Sequence, residues 1–309
     1  MLIGLIILLL ILCLFFLKYR PNHDDFIIIP SKLKQIRYNT IIPKVIWTYW
    51  HDLSNIPNLV TKCIDTWIIH NYDYEINILD DYKFKKLTGI DINEVFSITN
   101  TKTHQKKSDF IRLTLIYRFG GIWMDASIIC LKPLDWIHDI KNSEFIGFLV
   151  ADDGDPIIES WFLAAVPKST LLYDWLEEFN QSLQYKLEMD YCNDIMSEYP
   201  VPNHLRRMLP YLTIHLCNWL LLFLDPTRYK VYFMSSIENG PLFYMKTFRY
   251  NFYKTCDDIR KKGVPRDLKL LKIINAFRTA ILNRKRTYNT DNKYINYVFD
   301  NGYKFYITQ

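Results

Sequence analysis

An aspartate interrupts a long apolar stretch near the middle of the chain. Residues Ile122 to Leu131 read IWMDASIICL, and their β-branched, aromatic and aliphatic side chains predict a buried strand around Asp125. A carboxylate is costly to bury without partners, so this position needs an explanation. Side chains alternate along a strand, which places Asp125 and Ser127 on one side, where their oxygens suit Mg²⁺ or Mn²⁺. A turn aspartate that caps backbone amides is the alternative.

The segments before this stretch predict an α/β fold. Lys44 to Trp50 (KVIWTYW) is typical of a buried strand, a helix follows from Pro57 to about His70, and Tyr74 to Leu79 (YEINIL) alternates like a second strand. Strand, helix and strand in this order indicate a parallel unit. Thr103 to Phe119 then predicts a helix with one apolar stripe, which Gly120-Gly121 ends.

The segments after it continue this pattern. Phe145 to Val150 and Ser160 to Ala165 predict strands, and Ser169 to Leu183 and Leu205 to Leu224 predict helices. We see no internal repeat and no second composition class, so the sequence predicts one α/β domain over residues 43–309.

The first seventeen residues, Met1 to Leu17, carry no charged side chain and predict a transmembrane anchor. A cleaved signal peptide is the alternative, but no basic region precedes the apolar run. Residues 18–42 are polar and mixed and predict a juxtamembrane stem. Because Lys18 and Arg20 follow the apolar run, the positive-inside rule favours a single-pass protein with a cytosolic body, whereas a lumenal body contradicts that rule.

Charge and cysteine usage narrow the classes of partner. A formal net charge of +5, without dense basic runs, does not indicate a nucleic-acid partner. The six cysteines form no C-x-x-C pair and no cluster at zinc spacing, which favours reduced thiols. A bound metal therefore requires oxygen ligands.

Several other polar residues have two interpretations each. Asp80 and Asp81 follow the second predicted strand, where parallel sheets bind ligands, but they also suit a solvated helix cap. Glu159 is a candidate for the acceptor side, and His215 lies in an apolar helix and predicts a core histidine. The acidic loop VADDGDPIIES lacks the glycine and glutamate positions of a calcium loop, which favours an acceptor-side or surface loop at Asp152, Asp153 and Asp155.

The run that leads into Asp125 carries a family resemblance. Residues 108–127 read SDFIRLTLIYRFGGIWMDAS, in which Asp109 and Arg112 are spaced for one helix face and by themselves fit a helical ion pair. The run resembles the capsular polysaccharide synthesis protein family and the wider DXD-type, family 32-like glycosyltransferases, which include yeast initiating mannosyltransferases and clostridial glucosylating toxins. In these proteins S-D-x-x-R, a Tyr-x-x-Gly-Gly turn and D-x-D share this order and spacing, and D-A-[ST] is usual in the capsular family. The resemblance covers roughly residues 42–180 and leaves 185–309 unmatched.

The resemblance implies a GT-A-like domain with a central, mostly parallel sheet, preceded by one N-terminal transmembrane helix. The implied activity is a metal-assisted, retaining transfer from a nucleotide-diphosphate sugar to a polysaccharide or glycoconjugate acceptor. A hydroxyl is a weaker metal ligand than a carboxylate, so a pseudoenzyme that binds a nucleotide sugar or glycan without turnover is the alternative. A membrane-bound scaffold is a third hypothesis, against which the intact S-D-x-x-R to D-A-S run argues.

The resemblance also assigns roles to individual residues. Trp47 stacks near the nucleotide base, Asp109 and Arg112 contact the ribose and donor sugar, and Asp125 holds Mn²⁺ or Mg²⁺ on the diphosphate. The implied catalytic set is Asp125, Arg112 and Asp109, the implied metal ligands are Asp125 and Ser127, and the implied nucleotide-sugar contacts are Trp47, Asp109, Arg112, Gly120, Gly121 and Asp125.

Overall fold

The computed structural model describes residues 41–150, 157–238 and 240–287. The predicted anchor, residues 1–17, lies outside these ranges, as do nearly all of the predicted stem and the acidic loop at Asp152, Asp153 and Asp155. Within the described ranges, no helix is both long and apolar enough to span a bilayer.

Helices and strands alternate through the first half of the chain, and helices dominate the second half. The strands are β1 (Val45–Tyr49), β2 (Glu75–Leu79), β3 (Gly121–Met124), β4 (Ile128–Cys130), β5 (Phe145–Val150), β6 (Ile157–Ala165), β7 (Val231–Ser235) and β8 (Leu270–Lys272). The helices are α1 (Asn58–His70), α2 (Asp81–Thr88), α3 (Ile92–Val95), α4 (His104–Phe119), α5 (Trp136–Asp139), α6 (Thr170–Ser182), α7 (Glu188–Glu198), α8 (Asn203–Arg206), α9 (Thr213–Leu224), α10 (Phe243–Thr247), α11 (Phe252–Lys262) and α12 (Asn275–Thr287).

Six strands form the central sheet in the order β2-β1-β3-β6-β5-β7. The pairs β1·β2, β1·β3 and β5·β7 are parallel, whereas β6 runs antiparallel to both of its neighbours. The predicted α/β fold with a mostly parallel central sheet is therefore confirmed. Strands β3 and β6 are buried along their whole length, which explains their nearly continuous apolar sequences.

One predicted helix is two helices in the structure. The sequence predicts a single helix over Leu205 to Leu224, but α8 ends at Arg206 and α9 begins at Thr213. Pro210 lies between them, and a proline lacks the N–H group that a continuous helix requires. The backbone carbonyls that the break releases become acceptors for a buried lysine, as described below.

Two glycines make the turn from α4 into β3. Gly120 has a φ of 66°, and a Cβ at this position would lie 2.6 Å from Pro167 Cδ. Gly121 has a φ of 92°, and a Cβ there would lie 2.6 Å from the Val45 carbonyl oxygen. Both the backbone angles and the space require glycine. The predicted tight junction between this helix and the strand that leads to Asp125 is thus present.

A small second sheet ties the C-terminal part of the chain to the aspartate-bearing segment. Strands β4 and β8 pair antiparallel, with Ile128 opposite Lys272. The Ile273 amide also donates to the Ser127 carbonyl oxygen at 2.9 Å. An apolar cluster beneath this sheet joins Leu59 and Cys63 of α1 to side chains of α11 and α12. The five cysteines of the described ranges are all buried and form no disulfide, as expected for reduced thiols.

Candidate active site

A cavity of about 900 Å³ opens beside the end of β3. Both motif segments of the sequence reach it, since Asp109 and Arg112 of α4 and Asp125 and Ser127 of the β3–β4 turn line its wall. Segments that the sequence analysis left unmatched complete the lining, namely His204, Tyr211, His215, Lys272, Asn275 and Arg278.

Asp125 is fixed by its backbone at the exit of β3. Its amide donates to the Trp161 carbonyl oxygen of β6 at 2.9 Å, and its own carbonyl accepts from the Ile128 amide at 3.0 Å, which closes the turn into β4. The side chain is 27% exposed, so one part of the carboxylate faces its buried partners and another part faces the cavity. The predicted carboxylate at the exit of a buried strand is thus present, beside the cavity.

The carboxylate of Asp125 is held by three side chains. Lys272 Nζ lies 2.6 Å from Oδ2 and also donates to Ser127 Oγ at 3.2 Å. On the other oxygen, Oδ1, Trp123 Nε1 donates at 3.1 Å and an Arg112 nitrogen lies at 3.4 Å. The prediction that Asp125 and Ser127 lie on one side is confirmed, because a single ammonium group contacts both.

Arg112 links the S-D-x-x-R helix to the rest of the site. Its Nη1 donates to the carbonyl oxygen and the hydroxyl of Ser160 at 2.7 Å and 2.8 Å, and its Nη2 lies 3.2 Å from Asp109 Oδ1. Its guanidinium also stacks 5.1 Å from the centre of the Trp123 ring. Asp109, Arg112 and Asp125 therefore form one buried cluster. The Asp109–Arg112 ion pair of the alternative hypothesis is present, but it lies inside the cavity wall rather than on an exposed helix face.

Burial and charge shift the protonation equilibria of this cluster. Burial disfavours the charged form of Asp125, but the neighbouring Lys272 and Arg112 outweigh burial and hold its pKa below the ordinary value. Burial raises the pKa of Asp109, against the opposing charge of Arg112. Burial likewise lowers the pKa of Lys272, against the charge of Asp125. Neighbouring cations therefore outweigh burial at Asp125, whereas burial has the larger effect on the pKa values of Asp109 and Lys272.

The predicted divalent metal does not fit this arrangement of side chains. Asp125 and Ser127, its two expected ligands, both contact the Lys272 ammonium, and Arg112 lies on the other carboxylate oxygen. Among the described residues, no group of three or more histidine, cysteine, aspartate or glutamate side chains is placed to hold a metal ion. A metal on Asp125 would lie beside two cations that already pair with this carboxylate.

Three of the predicted nucleotide contacts lie away from the cavity lining. Trp47 is buried in β1, where its Nε1 donates to the Gly120 carbonyl oxygen at 2.9 Å. Gly120 and Gly121 form the turn behind the site. Trp47 and the two glycines therefore support the backbone that carries Asp125, and the structure does not place the indole where a base could stack on it.

The remaining polar candidates separate into two groups. Asp80 caps α2 by accepting from the Lys83 amide at 2.7 Å, which is the helix-cap role of the two considered. Asp81 instead accepts from the Tyr49 hydroxyl and from Lys107 Nζ. Glu159 lines the cavity, with its Oε2 3.9 Å from His215 Nε2.

His215 differs from its prediction as a satisfied core histidine. It faces the cavity, and its Nδ1 finds no hydrogen-bond partner among the described residues. The reason is that α9 turns Ile214 and His215 toward the cavity, whereas Leu216, Cys217 and Asn218 of the same helix are buried. Lys272 was missed altogether, although the signal that identified Asp125 also applies to it, because it is a charged residue within an apolar run, LLKII.

Comparisons with known proteins agree with the motif resemblance. A family model described as capsular polysaccharide synthesis protein matches residues 25–261, which is more than half of the chain. An initiation-specific α-1,6-mannosyltransferase of Candida albicans is 29% identical over 167 residues, covering 47% of this chain and 43% of that protein. An inositol phosphoceramide mannosyltransferase 1 of Schizosaccharomyces pombe is 24% identical over 191 residues, covering 60% of this chain and 55% of that protein. This chain thus spans about half the length of these relatives.

Solved structures of glycosyltransferases also match at low identity. The glycosyltransferase GlyE of Streptococcus pneumoniae superposes with a TM-score of 0.40 and 10% identity, covering 76% of this chain and 55% of that one. An active-site mutant of LgtC superposes with a TM-score of 0.40 and 12% identity, covering 74% of this chain and 86% of that one. The GT-A-like assignment of the fold stays a prediction.

Proposed function

Because the chain belongs to the capsular polysaccharide synthesis protein family, we propose that it is a glycosyltransferase that moves a sugar from a nucleotide-diphosphate donor to a glycan or glycoconjugate acceptor. The observation that carries the proposal is the cavity, which brings Asp109 and Arg112 of α4 together with Asp125 of the β3–β4 turn. A buried charged cluster at the wall of a large cavity is typical of a catalytic site. The named mannosyltransferase relatives support a hexosyl donor.

The cavity has two chemically different walls, which suit two substrates. The wall formed by Arg112, Asp125 and Lys272 carries fixed charges that can stabilise the leaving nucleoside diphosphate. The wall formed by Glu159 and His215 carries a carboxylate and an imidazole, which suit hydrogen bonds to sugar hydroxyl groups. The donor diphosphate therefore lies against the first wall in this proposal and the acceptor against the second.

Two parts of the proposal rest on the sequence. The transfer retains the anomeric configuration, as the resemblance implies, and proton NMR of the product tests this. The protein is anchored through residues 1–17 with a cytosolic body, as the charge flanking the apolar run predicts, and protease protection of sealed membranes tests this orientation.

A second candidate function is binding without turnover. The observation that favours it is that Asp125 pairs with Lys272 and that Ser127 stands where many DXD-type enzymes carry a carboxylate. A protein of this kind binds a nucleotide sugar or a glycan in the same cavity and releases no nucleotide.

One experiment separates the two candidates. The full chain is incubated with UDP-, GDP- and CMP-linked sugars, and release of free nucleotide is measured beside donor binding by calorimetry. We expect release from one donor and a loss of about 10²-fold or more in Asp125→Asn, because a charged group at the diphosphate wall is removed. Asp65→Asn, at an exposed position of α1, is the matched control and retains full activity.

Either of two results contradicts the proposed glycosyltransferase activity. Donor binding without release, also in the presence of candidate glycan acceptors, establishes the binding protein. Absence of binding to every donor rejects both candidates.

A further inference from the structure

The ammonium group of Lys272 occupies the position between the two side chains that the sequence assigns to a divalent metal. It lies 2.6 Å from Asp125 Oδ2 and 3.2 Å from Ser127 Oγ. Its side chain is only 8% exposed, although it lines the cavity. A lysine is rarely buried unless its charge is paired, so this position is a specific contact.

The backbone around Lys272 is fixed from both directions. Its own amide donates to the Pro241 carbonyl oxygen at 2.9 Å, and the next amide, of Ile273, donates to Ser127 at 2.9 Å. The pairing of β4 with β8 sets the register that places Lys272 opposite Ile128. A paired strand, rather than a surface loop, therefore positions the ammonium beside Asp125.

We infer that Lys272, and not a divalent metal, is the cation that Asp125 and Ser127 hold against the diphosphate of the donor. This inference rests on the proposed function. Asp125 acts in it as a positioning residue that fixes the ammonium, and Ser127 accepts a second hydrogen bond from the same group. An ammonium has three N–H groups, so one remains for a phosphate oxygen after Asp125 and Ser127 are satisfied.

The charges around Asp125 argue against a metal at the same place. Within the described residues, one carboxylate, Asp125, serves two cations, Lys272 and Arg112. The second carboxylate, Asp109, is itself paired with Arg112. A divalent ion would add two positive charges beside two cations, while Asp125 and Ser127 would offer it only one carboxylate and one neutral hydroxyl, both already in contact with Lys272. Divalent cations of this kind prefer several oxygen ligands.

The segment that follows Lys272 extends this cationic wall. Helix α12 begins at Asn275, two residues after Ile273, and Asn275 and Arg278 line the same cavity. The first amides of a helix lack intrahelical acceptors, and the helix dipole favours an anion at this end. Lys272, Arg278 and the start of α12 together provide the donor groups that a diphosphate requires.

The first test contains no donor, so it remains informative if the proposed function fails. Mn²⁺ alone is titrated into the full chain by calorimetry. We expect no binding of Mn²⁺ at Asp125 in the wild-type protein, and binding of about one Mn²⁺ in the double variant Lys272→Ala/Ser127→Asp, in which two carboxylates replace the ammonium and hydroxyl. One bound Mn²⁺ in the wild-type protein that is lost in Asp125→Asn would overturn the inference.

The second test measures UDP and GDP binding with excess chelator and with Mn²⁺. We expect affinities equal within about twofold in the two conditions and a loss of about tenfold or more in Lys272→Ala, consistent with the loss of one charged contact. The matched control is Lys269→Ala, an exposed lysine three residues away that contacts Trp136. Its affinity stays at the wild-type value.

Binding that disappears with chelator overturns the inference, and this result needs only the wild-type protein, so it holds even if Lys272→Ala does not fold. If neither nucleotide binds under either condition, the proposed donor is rejected, and the Mn²⁺ titration alone decides the role of Lys272.

Discussion

Two buried ion clusters lie along helix α4, and they differ in what covers them. Near its start, Lys106 pairs with Glu188 of α7 and donates to the carbonyl oxygens of Pro210 and Tyr211 at 2.8 Å and 3.3 Å. Two turns later, Arg112 joins Asp109, Asp125 and Lys272. The Lys106 and Glu188 side chains are 4% and 2% exposed, whereas Asp125 is 27% exposed.

The difference shows how the same chemistry serves stability or function. The closed cluster consists of Lys106, Glu188 and the carbonyl groups of Pro210 and Tyr211. The two carbonyl groups are those that the break before α9 releases. The open cluster consists of Asp109, Arg112, Asp125 and Lys272. Part of its Asp125 carboxylate and its Lys272 ammonium line the cavity. A ligand can therefore reach the open cluster, whereas burial shields the closed one from ligands.

The largest expected effect is on the closed cluster. Lys106→Met leaves Glu188 as a buried carboxylate without its partner, which we expect to lower the free energy of unfolding by about 3–5 kcal/mol. Urea denaturation measures this. Nucleotide affinity of the folded fraction should not change, and a variant that stays stable but loses nucleotide binding would show that the closed cluster belongs to the site.

The double variant Lys106→Met/Glu188→Leu is the control for this prediction. It replaces the whole ion pair by apolar side chains, and we expect it to recover most of the loss, because no charge then stays buried alone.

A second prediction concerns the backbone that presents the open cluster. Gly120→Ala combines a strained positive φ with a contact against Pro167, and we expect it to cost about 2–4 kcal/mol. Gly89→Ala is the matched control, because Gly89 has a φ of 76° with no atom within 4 Å of the added Cβ. We expect the control to cost only about 1–2 kcal/mol. Equal losses in thermal unfolding would mean that space at the α4–β3 turn is not limiting.

A third prediction concerns the open cluster itself. Arg112→Lys keeps the charge but cannot reach Ser160, Asp109 and Asp125 together, since a lysine lacks the planar fork of nitrogens. We expect a loss of about 1.5–3 kcal/mol in stability. Nucleotide release should fall about tenfold or more, which is the kinetic equivalent of about 1.4 kcal/mol. Unchanged release with reduced stability would reduce Arg112 to a structural role.

The smallest expected effect is on a surface pair. Arg228 lies 2.7 Å from Asp174 but is 52% exposed, so solvent and salt screen their attraction. We expect Arg228→Ala to change stability by less than about 1 kcal/mol. A larger loss of unfolding free energy, measured by urea denaturation, would mean that burial does not explain why the closed cluster, the open cluster and this surface pair differ in their effects on stability.

The predictable parts of the molecule are those that depend on local periodicity. The first strand, the following helix and the helix that ends at Gly120 lie close to the predicted positions, because alternating and helical apolar patterns are local signals. The cost of burying a carboxylate also singled out Asp125, which lines the cavity in the structure. Pro210, which divides the predicted C-terminal helix, shows how one residue outweighs an apolar pattern.

The parts that could not be predicted depend on contacts distant in sequence. The aromatic ring of Trp47 is chemically suited to stack on a base. Only the fold shows that its Nε1–H donates a hydrogen bond to the Gly120 carbonyl oxygen. Lys272 lies among apolar residues as Asp125 does, yet its partner is 147 positions away, and no local pattern can pair them. The orientation of His215 toward the cavity likewise depends on where α9 packs.

The pairing of β4 with β8 also has a consequence for the order in which the protein is made. The chain emerges from the ribosome with its N-terminal part first, so the Asp125 segment is present long before residue 272 is synthesised. Closing a loop of this length is entropically slow and must precede any contact that rewards it. Until then the cavity lacks the Lys272 ammonium and the part of its wall formed by Asn275 and Arg278. In the proposed function, the site is therefore complete for a donor only after residue 272 has been synthesised and β8 has paired with β4.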